Sequence, residues 1–175
     1  MSKPISSSAA LPIAYVFLRI LIVVNWLGGA AILALLVVMP NREWIMAAFH
    51  LPPSPDAETL IMGMRAIAVL GLVTIPINYV VLKRLLAIVK TVRAGCPFVP
   101  ANASRLQVIA WALLALQILG IVIGLIAKSV SSPAHPLNIN AGFSINGWLA
   151  VLLTFLLARV FAEGATMRED LEGTV

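Results

Sequence analysis

Charged residues are scarce in this chain. Only 11% of its 175 residues are Asp, Glu, Lys or Arg, where a water-soluble domain has about a quarter. With 61% hydrophobic residues and a mean hydropathy of +1.03, there is more apolar surface than a soluble core of this length can hide, which excludes a water-soluble fold. Cysteine is nearly absent as well. Cys96 stands alone, so an intramolecular disulfide is excluded. No GxSxG, HExxH, Walker A or GxGxxG pattern occurs, and His50 and His135 are isolated in proline-rich stretches. Neither a nucleophilic nor a zinc-type constellation assembles from these residues, so no enzyme, metal or cofactor is expected, and both histidines read as solvated loop residues. An internal repeat of the kind that builds dual-repeat transporters is also missing.

Four charge-free runs fill most of the chain: Ile20 to Met39, Ala66 to Leu82, Leu106 to Ala127 and Phe143 to Ala158. About 20 helical residues cover the ~30 Å of a bilayer core, so each run is near spanning length. Arg65 and Arg159 bound the two shorter runs and snorkel to the interface from inside the helix ends. The expected fold is all-α, an integral membrane four-helix bundle in one domain over residues 1–175. Its spans fall at about 13–39, 60–82, 105–127 and 143–162, with a helical hairpin at 83–105 between the second and third helices and a tail at 163–175. The polar residues before Ile13 are not a secretion signal, because the apolar run behind them far exceeds the roughly 15 residues of such a segment.

Lys83, Arg84, Lys90, Arg93 and Arg105 occupy one stretch that has no acidic residue. Lys and Arg flanking spans stay on the cytoplasmic side, which puts this hairpin and both termini in the cytosol. Pro40 to Thr59 and Lys128 to Gly142 then face outward, with Trp44 and Trp148 near the outer boundary, where aromatic residues concentrate. The same stretch accounts for much of the pI of 10.0, and no basic recognition motif accompanies it, so direct nucleic-acid binding is not expected. Leu82, Leu85, Leu86, Val89 and Val92 recur at helical spacing, so the second helix should run on past the membrane as an amphipathic extension. Gly95 and Pro97 end it, and Pro100 suits the first turn of the third helix.

None of the span cores contains an ionisable residue, which disfavours ion-coupled transport. The uncharged polar residues Asn25, Thr74, Asn78 and Gln117 lie within or near spans. Interhelical hydrogen bonds of about 0.6 to 2 kcal/mol each are the plain reading. The sharper one is a polar pocket around Asn25, Asn78 and Gln117 that takes a small ligand. Pro76 disturbs the backbone bond to Leu72 and is a candidate kink. Gly120 with Gly124, and Gly28 to Ala31, allow close helix approach, either inside one bundle or between copies in a homo-oligomer.

The hairpin reads Arg93-Ala-Gly95-Cys-Pro97-Phe98-Val-Pro100-Ala-Asn102, then Arg105-Leu106 and Trp111. The chain closes Phe161-Ala-Glu163-Gly164 and Met167-Arg-Glu169-Asp170-Leu171-Glu172-Gly-Thr174-Val175. Together these resemble the bacterial membrane family catalogued as domain of unknown function 2975, over essentially the whole chain. Cys96 and Ala101 depart from that pattern, which has a small acidic or polar residue and a Glu there. The resemblance implies a four-helix protein of the bacterial inner (cytoplasmic) membrane, often encoded beside a small helix-turn-helix regulator of the Cro type. It makes the basic hairpin and the acidic tail the expected contact surfaces: Lys90, Arg93, Pro97, Phe98, Asn102, Arg105, Glu163, Glu169, Asp170 and Glu172. The expected function is a membrane sensor or sequestration partner for such a regulator. The alternatives are a small transporter or pore formed by an oligomer of the bundle, or a structural subunit of a larger membrane complex. Two further alternatives are that hairpin and tail pair with each other, and that the hairpin rests on anionic lipid.

Overall fold

The computed structural model describes residues 10–38, 55–131 and 142–173. Most of both expected outer loops, with Trp44, His50 and His135, lies outside these described residues, as do the N-terminal nine residues. The chain forms α1 (Ala10–Val38), α2 (Pro55–Arg93), α3 (Pro100–Val130) and α4 (Ile145–Gly173), with no strand among the described residues. Each of the four is long and apolar enough to cross a membrane. The protein is an all-helical, multi-pass membrane bundle.

The helices outrun the expected spans. The 39 residues of α2 reach about 58 Å at 1.5 Å per residue, nearly twice the bilayer core. Its extension past Leu82 is the amphipathic segment expected from the spacing. α4 differs from expectation in a useful way: most of the tail, up to Gly173, continues the helix without a break. Ala162, Ala165, Met167 and Glu169 are strong helix formers and no proline interrupts them. Pro76 sits inside α2, which runs through it as one helix.

Consecutive helices pack on one another, α1 on α2, α2 on α3 and α3 on α4, while the other pairs make marginal contact at most. Lipid tails are as apolar as leucine, so such contacts depend on small residues and close fit. A side chain at Gly29 would press on Ile75 at 3.1 Å, and one at Gly63 would come within 2.5 Å of Val130. Leu106, Ile109 and Ala158 form the buried cluster that joins α3 to α4, with Val81, Leu85 and Ile88 of α2 against it. α1 is the least buried of the four spans, and Gly29 is its one buried residue among those described. At the far end Trp148 stacks on Phe143 with centroids 6.2 Å apart, and its buried indole N–H meets no acceptor among the described residues.

The turn between α2 and α3 is built as the local sequence dictates. Gly95 takes φ +79°. The Gly95 N–H donates to the Val92 carbonyl and the Cys96 N–H to the Thr91 carbonyl, both at 3.0 Å, which is the paired capping pattern of a helix ending on a left-handed glycine. Pro100 then opens α3 at a position where its missing N–H is no loss, preceded by Val99 in an extended conformation.

Candidate functional site

Asn102 is the hub of this turn. It has no exposed surface. Its Nδ2 donates to Thr91 Oγ1 and to the Pro97 carbonyl, each at 2.8 Å, and its Oδ1 accepts from Arg105 Nη1 at 2.7 Å. A carbonyl on one side and a guanidinium on the other fix which way the amide points. Thr91 Oγ1 donates in turn to the Ile88 carbonyl at 2.7 Å. The last turn of α2, the loop and the first turn of α3 are thereby tied to one buried side chain.

Phe98 carries the loop onto α4. Its ring lies over Gly164, where a Cβ would come within 2.9 Å of Phe98 Cδ1, and it meets Phe161 with centroids 5.3 Å apart. The hairpin and the end of α4, remote in sequence, form one surface. Beside them a cavity of about 540 Å³ opens between α3 and α4, with Ser104, Gln107, Arg159, Thr166 and Glu169 among its walls. Arg159 Nε donates to Glu163 Oε1 at 2.8 Å, an exposed i, i+4 pair worth only a few tenths of a kcal/mol.

The outward face of α4 is mixed. Val160, Glu163, Met167, Asp170 and Leu171 recur at three- and four-residue spacing and all are exposed, Met167 at 64% and Leu171 at 72%. Cations gather where α1 meets α2. Arg19 donates to the Tyr15 hydroxyl at 2.8 Å, and the guanidinium groups of Arg19 and Arg93 lie 5.3 and 5.2 Å from the Tyr15 ring centroid. Lys83 lies 5.7 Å from the Tyr79 ring.

The family described as "Protein of unknown function (DUF2975)" matches residues 42–175. The chain belongs to this family. The DUF2975 match takes in α2, α3, α4 and the whole hairpin, and it leaves α1 outside. No curated protein and no solved structure matches the chain.

Within this DUF2975 protein the residues expected as contacts divide into three groups. Asn102, Arg105 and Pro97 hold the hairpin from within; Asn102 is wholly buried and offers no surface, because three neighbours use its amide. Phe98 is partly committed to Phe161 and Gly164. Glu163, Glu169 and Asp170 stay exposed on α4, as do Lys90 and Arg93 on α2. The side chain of Glu172 lies outside the described residues.

Asn25, Asn78 and Gln117 are not brought into one hydrogen-bonded cluster. Asn25 Nδ2 donates to the Ile75 carbonyl at 3.1 Å, across the α1–α2 interface. Gln117 packs its amide onto Gly147 at the α3–α4 interface. Asn78 is half-buried on α2, and Thr74 bonds locally to the Gly71 carbonyl. Sequence reasoning passed over Thr91, Tyr15 and Tyr79. Thr91 lies in the last turn of α2, where a hydroxyl commonly bonds back to the backbone. Tyr15 and Tyr79 carried no signal beyond being the only tyrosines in the chain.

Proposed function

We propose that this is a bacterial inner-membrane protein, with the hairpin and both termini in the cytosol, that binds a small cytosolic helix-turn-helix regulator and holds it at the membrane. The reading rests on the end of α4. That helix continues past the length a bilayer needs, and there it presents Met167 and Leu171 exposed amid Glu163, Glu169 and Asp170. An apolar helical stripe edged with carboxylates suits a small basic DNA-binding domain. The apolar contacts supply affinity, and the carboxylates attract the cations that would otherwise meet phosphate. A regulator held this way is kept from DNA. The basic hairpin supports the orientation through the retention of Lys and Arg on the cytoplasmic side. The contact of Phe98 with Gly164 ties the binding helix to the hairpin, giving the bundle a route to influence it.

The test is crosslinking in cells of the native host, purification in gentle detergent and identification of co-purifying proteins by mass spectrometry. It compares the full chain with a truncation after Thr166, which keeps Gly164 under Phe98. A small DNA-binding protein should come with the full chain and be lost on truncation at equal membrane levels. Recovery of the chain alone, or undiminished recovery with the truncated form, overturns the proposal.

A further inference from the structure

We infer that the groove between α1 and α2 binds one anionic phospholipid, its phosphate at the hairpin end and an acyl chain running toward the bilayer centre. Two cavities lie along this helix pair. The one nearer the hairpin, about 450 Å³, is lined by Arg19, Lys83 and Lys90 together with Tyr79 and aliphatic side chains. The other, about 480 Å³, is lined by apolar residues, among them Trp26, Ala30, Leu33, Leu72 and Pro76.

The cavities share a face. From Arg19 to Leu33 on α1, and from Leu72 to Lys90 on α2, the residues lining the two recur at intervals of three and four, which keeps them on one side of each helix. They are therefore two stretches of one groove. Trp26 and Tyr79, with ring centroids 5.6 Å apart, sit between the cationic stretch and the apolar one. Fourteen residues of helix rise about 21 Å, which matches one leaflet with its headgroup layer, half of the ~30 Å core being about 15 Å.

Charge determines the class of ligand. Arg19, Lys83 and Lys90 line the groove, and Arg93 stands at its rim over Tyr15, yet no carboxylate among the described residues lines that cavity or pairs with any of the four. Four cations gathered on one helix pair repel one another until an anion joins them. Basic pockets between spans on this kind of boundary are suited to phosphate headgroups. A soluble phosphate would fill only the cationic stretch, whereas a phospholipid fills both.

The experiment is native mass spectrometry of the full chain in detergent, titrated with phosphatidylglycerol, cardiolipin or phosphatidylethanolamine, with glycerol 3-phosphate as soluble competitor. The intact chain should retain one phosphatidylglycerol or cardiolipin under activation that strips phosphatidylethanolamine. Removing two cations in Arg19→Gln/Lys83→Gln should weaken phosphatidylglycerol binding by roughly thirty-fold, while Arg19→Lys/Lys83→Arg should keep it. Ala30→Phe, which changes no charge, should lower retention by filling the apolar stretch. Equal retention of phosphatidylethanolamine, or an unaffected Arg19→Gln/Lys83→Gln variant, overturns the inference. So does displacement by glycerol 3-phosphate combined with indifference to Ala30→Phe, which would mark a phosphate site without a tail. The Ala30→Phe and competition arms stand even where the doubly neutral variant fails to fold.

Discussion

Phe98 occupies the space that any side chain at residue 164 would need, since a Cβ on Gly164 would stand 2.9 Å from its ring. Gly164→Val should push the ring off α4. Phe98 is already 43% exposed and can swing outward, so the stability cost should be at the low end for overpacking, about 1 kcal/mol. The clearer readout is faster amide exchange over residues 94–99. In a Phe98→Ala background the same substitution should cost almost nothing; equal costs in both backgrounds would sink the pairing.

Asn102→Leu should be the most damaging single change in the hairpin. It leaves the Pro97 carbonyl and the Arg105 guanidinium without their partner in a buried setting, at a cost on the order of 2–4 kcal/mol. Thr91→Val should cost less, about 1–2 kcal/mol, because it strands one buried Asn102 N–H but leaves the bonds to the Pro97 carbonyl and to Arg105 in place. Thermal unfolding in detergent would rank the two, and an Asn102→Leu protein as stable as the parent would contradict the network.

A methyl group at residue 147 collides with the Gln117 amide. The amide is the far end of a flexible side chain and can turn aside, so Gly147→Ala should lower the unfolding midpoint by only a few degrees, the low end of overpacking at about 1 kcal/mol. Adding Gln117→Ala should recover most of the loss. Failure of that rescue would mean the helices approach elsewhere.

Cys96 is the only cysteine, so it can be replaced and a new one placed at will. With Cys96→Ser and Thr174→Cys, a membrane-impermeant maleimide should label inverted membrane vesicles and leave intact spheroplasts unlabelled. Labelling of the spheroplasts would reverse the proposed orientation.

What could be read from the sequence was what is local. Gly95, Pro97 and Pro100 specify the turn within a few residues, and Leu82 to Val92 carry their own helical phase, so the hairpin was legible. The four long apolar helices were legible too, because Arg and Lys bound the apolar runs. Direction around each helix axis was not: a span that is apolar on every side carries no phase signal. Hence Asn25 and Gln117 could be placed in spans but not assigned to separate interfaces. Asn102 looked like a surface amide because its three partners come together only once the turn has closed. The acidic tail had no apolar run to mark it as helix, and its continuity with α4 follows from the propensity of its alanines and glutamates.

Among the described residues α1 packs substantially on α2 alone, and that makes it the detachable panel of the structure. None of the contacts among Phe98, Phe161, Gly164, Asn102, Gln117 and Gly147 involves it. Stripping α1 away would take one wall from the α1–α2 groove and remove none of these contacts among α2, α3 and α4. The portion of the chain that defines family membership is thus also the portion held together without α1.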